Sequence, residues 1–174
     1  MTLPGRRSLN LLAAAFCAVL IGYALYQQHV LGLEPCHLCI FQRVAVMAVG
    51  AVFLVAGLHQ PGRLGARLYG VLGALAAAGG LAVAGRHVWI QLQPPGSVPA
   101  CGAPLDVLFD VLPFQEVVLK VFRGGGECQK VDWTFLGLSM PMWLLAVFAG
   151  LLLWALWVNF RREPATALLS GRRQ

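Results

Sequence analysis

Hydrophobic residues run in four long blocks separated by shorter polar segments, and the blocks carry no charge. No Asp, Glu, Lys or Arg occurs in residues 8–33, 44–58, 68–85 or 133–160. Each block holds, or nearly holds, the ~18–20 apolar residues that take a helix across a bilayer core. The pattern predicts four transmembrane helices at about 9–26, 40–58, 68–88 and 140–158. Segments 27–39 and 89–139 then fall on one side of the membrane, and residues 1–174 read as a single all-α membrane domain, a four-helix bundle with one long external loop.

That loop divides into three parts. Residues 93–99 are rich in proline and are expected to be extended and mobile, with Cys101 following on an accessible strand-like segment. Next, Leu105, Leu108, Phe109, Leu112, Phe114, Val117, Val118, Val121 and Phe122 recur three and four apart, opposite Asp106, Asp110 and Glu116. They predict a short amphipathic helix interrupted at Pro113 and lying on the outer leaflet. Gly124-Gly125-Gly126 is expected to act as a hinge before Cys128, and Trp133 and Phe135 to introduce the last helix at the interface.

Composition agrees: 59% of residues are hydrophobic and 11% are charged, against about 25% charged in a soluble domain. Basic residues set the orientation. Arg6, Arg7, Arg63, Arg67, Arg161, Arg162, Arg172 and Arg173 flank the blocks on one side, which the positive-inside rule makes cytoplasmic along with both termini. The other side mixes Lys120, Arg123 and Lys130 with Glu34, Asp106, Asp110, Glu116, Glu127 and Asp132. The net charge of +6 therefore follows from topology and calls for no nucleic-acid partner. The first block is longer than a leader's ~7–15 apolar residues and lacks a small-x-small cleavage site, so a retained helix is expected.

Orientation also sorts the cysteines. Cys36, Cys39, Cys101 and Cys128 lie on the outer, oxidising side, where two disulfides with three alternative connectivities are open. Cys17 falls inside the first helix, where it packs as a small apolar residue. Cys36-His37-Leu38-Cys39 stands at the start of the second helix, with Arg43 four residues beyond Cys39 on the same face. Unpaired N–H groups at the helix start and the nearby guanidinium favour the reactive thiolate, while burial opposes it. An arginine so near lipid needs a partner or a task. No metal is expected: Cys101 and Cys128, with 26 residues between them, lack the compact spacing of a second ligand pair. A purely structural Cys101–Cys128 bridge would stabilise the loop by roughly 3–4 kcal/mol, but its proline- and glycine-rich flanks suit a bridge exposed to an incoming thiolate.

The chain resembles the DsbB family of quinone-linked thiol oxidases of the bacterial inner membrane. The resemblance rests on Gln28-His29-Val30, on Glu34-Pro35-Cys36-His37-Leu38-Cys39-Ile40, and on Gln42-Arg43, where many members carry glutamate before the arginine. It continues with His87 and Gln91-Leu92, Gly126-Glu127-Cys128, Trp133-Thr134-Phe135-Leu136-Gly137-Leu138 and Met140-Pro141-Met142-Trp143. It implies redox disulfides Cys36–Cys39 and Cys101–Cys128, a reduced periplasmic DsbA-like thioredoxin-fold partner that forms a mixed disulfide with Cys101, and Cys39 as the thiol that passes electrons to ubiquinone, or to menaquinone without oxygen. Arg43 and His87 are then expected beside the quinone. Two other classes remain to be separated: a vitamin K epoxide reductase-like enzyme, whose C-x-x-C lies late in its bundle rather than at helix two, and a non-enzymatic membrane scaffold with two structural disulfides.

Overall fold

The computed structural model describes residues 5–94, 107, 110–131 and 133–161. Cys101 and most of the proline-rich segment lie outside the described residues, as do Leu105, Leu108 and Phe109. Four long helices run up and down: α1 (Arg6–His29), α2 (His37–His59), α3 (Arg63–Gln91) and, last in the chain, α5 (Met140–Phe160). All four are long and apolar enough to cross a membrane. Between α3 and α5 come α4 (Phe114–Arg123), a 3-10 turn (Gly126–Gln129) and a small antiparallel hairpin of β1 (Thr134–Phe135) and β2 (Leu138–Ser139). Arg6, Arg63, Arg67 and Arg161 stand at one end of the bundle, and Cys36, Cys39 and Cys128 at the other.

Within lipid, helices gain little from hiding apolar surface and associate instead through close packing and polar contacts. α3 shows how its sequence meets that demand. Ala66, Gly70, Gly73, Ala77, Gly80 and Ala84 recur at three- and four-residue steps, and all are buried. This stripe of small residues lets α3 sit close against α5: Gly73 lies under Ala155, while a Cβ at Gly70 would stand 2.8 Å from the Asn159 Cβ and one at Gly80 would overlap the Phe148 ring. Gly80→Ala should therefore destabilise the fold by about 1–3 kcal/mol despite alanine's better helix propensity, read as a lower thermal midpoint in detergent. An unchanged midpoint would show that Phe148 can give way.

α1 and α2 form a tight hairpin in which Cys17, only 1% exposed, packs on Gly50; a Cβ there would stand 2.9 Å from the Cys17 Cβ. α1 and α5 touch far less than the other neighbouring pairs. Their join lies at the arginine end, where the buried amides of Asn10 and Asn159 hydrogen-bond reciprocally at 3.3 and 3.4 Å and Asn159 also donates to the Ala155 carbonyl at 3.0 Å. At the cysteine end a cavity separates the two helices.

Two loop expectations are modified. Val117 and Val121 of α4 do not face a leaflet; they are buried in a cluster with Leu38, Val83, Ile90 and Cys128. Only part of the helix's apolar face, including Phe114 and Leu119, remains exposed. The glycine run forms a packed turn: Gly124 adopts φ +75°, and a Cβ on it would collide with Ile90, so both backbone sign and space require glycine there. The hairpin has no counterpart in the hydrophobic pattern. Its tip, Leu136-Gly137, takes φ values of +52° and +77°, the left-handed pair that suits a two-residue turn between twisted strands.

Candidate active site

The cysteine motif sits where a helix begins. Cys36 is the residue that caps α2, with extended backbone (φ −65°, ψ 166°), and its carbonyl accepts from the Ile40 N–H at 3.1 Å. Pro35, just before the cap, belongs to the turn leading into the helix. Leu38 points into the core and is fully buried, which fixes the roll of the first turn. Cys36 and Cys39 are thereby brought together, their Sγ atoms 3.2 Å apart. All four described cysteines are free thiols.

His87 reaches the same point from α3. It continues the small-residue stripe by one further step past Ala84 and is buried against the start of α2. Its Nε2 lies 3.7 Å from Cys36 Sγ, and its Nδ1 lies 3.4 Å from the side-chain nitrogen of Gln42. Arg43 has the partner its position demands: the guanidinium donates to the Gln28 side-chain oxygen and, at 3.1 Å, to the Ala24 carbonyl. These bonds fasten the start of α2 to the end of α1.

Cys128 arrives on the 3-10 turn. Gln129 holds that turn by donating to the carbonyls of Gln93 and Pro94 at 3.2 and 3.0 Å. The ligand atoms of Cys36, His87 and Cys128 all lie within 4.8 Å of one another. Nothing in the chain spacing foretells this meeting. Interaction of the Cys128 thiol with Cys36 and burial under α4 push the Cys128 thiol well above the ordinary cysteine range, which backbone groups of Gly125 and Leu38 oppose without reversing. A raised value leaves less thiolate at any given pH. Maleimide labelling of Cys128 in the reduced protein should therefore be at least about tenfold slower at pH 8.5 than in the unfolded chain and still be rising above pH 9. A rate that levels off near pH 9 would contradict that environment.

Beside the thiols lies a cavity of about 590 Å³. α1 contributes Leu20, Tyr23, Ala24 and Gln27; α2 contributes Cys36, Cys39, Gln42, Arg43 and Val46; α3 contributes His87 and Gln91; α5 contributes Pro141, Trp143, Leu144 and Val147. Ser139 Oγ, also in the wall, donates to Gln91 Oε1 at 2.7 Å. An aromatic series adjoins it: Trp133 meets Tyr23 edge-on and stacks on Phe135, which in turn contacts Trp143. The hairpin locks this series, because Trp143 Nε1 donates to the Phe135 carbonyl at 3.1 Å. Thus five of the six residues singled out from sequence converge on one site, and Cys101 lies outside the described residues. Sequence reasoning gave no role to Gln27 or Tyr23, which signal nothing without the fold.

The sequence pattern of the family described as "Disulfide bond formation protein DsbB" matches residues 6–158. The chain is 49% identical over 164 residues to "Disulfide bond formation protein B" of Methylococcus capsulatus, covering 93% of this chain and all of that relative. The chain belongs to the DsbB family. The protein of the same name from Chromobacterium violaceum is 49% identical over 153 residues, 88% of this chain and 92% of that one. A Xanthomonas campestris namesake is 48% identical over 160 residues, covering 91% and 93%. This DsbB-family chain is accordingly a multi-pass membrane protein of disulfide bond formation. The matched region runs from the start of α1 almost to the end of α5 and takes in Cys36, Cys39, Cys101 and Cys128.

Proposed function

We propose that the protein is a thiol:quinone oxidoreductase of the bacterial inner membrane that reoxidises a periplasmic DsbA-like protein through two cysteine pairs. The single observation that carries this reading is the meeting of Cys128, from the external loop, with Cys36 beside a cavity that also holds Cys39. The three-residue step of a C-x-x-C motif brings Cys36 and Cys39 together in any helix start. Nothing local brings Cys128 there, and a scaffold with two independent structural bridges has no need of it.

The exchange balances as follows. A client dithiol attacks the Cys101–Cys128 disulfide at Cys101 and leaves as a disulfide, having given two electrons and two protons and left Cys101 and Cys128 as thiols. Cys128 then attacks Cys36 of the Cys36–Cys39 disulfide, which forms a Cys36–Cys128 bond and frees Cys39. Attack by Cys101 on Cys128 restores the outer disulfide and leaves Cys36 and Cys39 reduced. That pair returns to a disulfide on losing two electrons and two protons.

Does the cavity suit the acceptor? Its volume falls within the ~300–1,000 Å³ of small-molecule sites, its walls are largely apolar side chains, and buried amide oxygens of Gln27 and Gln42 in its wall lack partners among the described residues. A ubiquinone head, or menaquinone under anaerobic conditions, meets those demands, with Arg43, His87, Gln27 and Gln42 around it. When bound, the quinone supplies a two-electron, two-proton sink. The chain's residues orient Cys39 toward the cavity, screen the thiols from water with Val117 and Val121, and hold a proton acceptor, His87, against Cys36. The loose α1–α5 side offers a lateral path for an isoprenoid tail.

The test combines purified protein, a reduced DsbA-like partner and ubiquinone, following quinone absorbance. Catalytic loss of the quinone band is expected, together with oxidation of the partner in equal amount. Oxidised partner without quinone consumption, or no turnover with any quinone, would refute the reading.

A further inference from the structure

Two glutamines in the cavity wall share an unusual state. Gln27 is 3% exposed and Gln42 is 1% exposed. The side-chain nitrogen of Gln27 donates to the Tyr23 hydroxyl at 2.9 Å, and that of Gln42 lies 3.4 Å from His87 Nδ1. Yet the Oε1 of each is buried with no hydrogen-bond partner among the described residues. An unmatched acceptor out of water is destabilising, and native proteins rarely keep one without cause. Two such groups in one cavity wall mark a place for a polar ligand.

Turning either amide leaves the same deficit. If Gln27 turns about its last torsion, its oxygen accepts from the Tyr23 hydroxyl and its –NH2 becomes the unmatched end. If Gln42 turns, its oxygen accepts a hydrogen bond from a protonated His87 Nδ1 and again the –NH2 is left over. An amide is the side chain that presents either a donor or an acceptor from one position, through a soft two-fold torsion.

A quinone and its quinol need this pair of properties. The oxidised ring offers carbonyl acceptors, and the reduced ring offers hydroxyl donors. We propose that Gln27 and Gln42 are the residues that hydrogen-bond the ring oxygens, and that Gln42 turns with the state of His87, donating to the quinone and accepting from the quinol. When the His87 proton sits on Nε2, toward Cys36, Nδ1 accepts from the Gln42 –NH2 and the Gln42 oxygen is free for a hydroxyl. When Nδ1 carries a proton, it occupies the Gln42 oxygen and the –NH2 is free for a carbonyl. Gln42 thus connects the proton at the thiol to the redox form held in the cavity. This inference rests on the quinone reading above and adds residues and a device to it.

Equilibrium binding to the full-length protein in detergent decides it, with three probes: decylubiquinone, decylubiquinol under anaerobic conditions, and an analogue with both ring oxygens replaced by hydrogen. Gln42→Met, close in length and without polar ends, should weaken both quinone and quinol about tenfold, the worth of one hydrogen bond, and leave the deoxygenated analogue unchanged. Gln27→Met, which keeps the His87 contact intact, should behave likewise and carries the test should Gln42→Met fail to fold. Equal losses on all three probes would mean that the glutamines only shape the cavity, and unchanged affinity would mean that they touch nothing; either overturns the proposal. Loss on one redox form alone would overturn the turning of Gln42. Failure of the wild-type protein to bind either quinone or quinol would instead remove the quinone reading itself, and this inference with it.

Discussion

Serine at position 39 should abolish quinone reduction, by at least about three orders of magnitude, while allowing Cys36 and Cys128 to join. Thiolate nucleophilicity cannot be supplied by a hydroxyl of far higher pKa, so no disulfide can re-form across the helix start. The loop half of the pathway is untouched by the change. Cys36 keeps its place at the helix cap, and Cys128 keeps its turn, anchored by Gln129 on the carbonyls of Gln93 and Pro94. With its near partner at 3.2 Å removed, Cys36 has Cys128 as the other described thiol within 4.8 Å. On adding oxidant to Cys39→Ser that also carries Cys101→Ser, which removes the competing partner of Cys128, peptide mapping should recover a Cys36–Cys128 disulfide. Cys36→Ser should be equally inactive yet unable to form that link. Turnover in Cys39→Ser would end the assignment of Cys39 as the thiol that passes electrons to the quinone. Recovery of Cys36 only as a free thiol would mean that the Cys36–Cys128 contact plays no part in exchange.

The number of membrane-crossing helices could be read directly, because a charge-free block of bilayer length rarely fits anything except a membrane span. The helices run past those blocks at several ends, α1 from Arg6 and α3 from Arg63, since backbone hydrogen bonding continues into polar sequence once a helix is nucleated. The cysteine motif was equally plain, its spacing being local. What stayed hidden depends on contacts between distant segments. No local rule places Cys128, far along the chain, beside Cys36, or pairs Asn10 with Asn159. His87 is an intermediate case. Its chemistry came from resemblance alone, but its burial was written in the period of Ala66, Gly70, Gly73, Ala77, Gly80 and Ala84, which it extends. The amphipathic helix shows the opposite limit: periodicity gave its apolar face but could not say that Val117 and Val121 cover a thiol rather than lipid.

Arg43→Met should raise the apparent KM for quinone by roughly 10–100-fold, with a smaller fall in kcat and a lower thermal midpoint. Two acceptors decide the effect. Arg43 donates to the Gln28 side chain and to the carbonyl of Ala24, a residue in the wall of the cavity. Methionine preserves much of the apolar stem but takes the charged donor away from both oxygens, and hydrogen bonds to a charged group are worth about 1.5–3 kcal/mol. Loss of the clamp frees the end of α1, and with it Gln27 and Tyr23, so the cavity loses shape before the thiols lose reactivity. That order is why KM should move more than kcat. Arg43→Lys separates charge from geometry. An ammonium keeps the cation but cannot fork to two acceptors as the planar guanidinium does, so it should recover kcat and only part of the KM change. If Arg43→Met instead cut kcat alone, at unchanged KM and midpoint, the arginine would act on the thiol and not as the fastening of α1 to α2.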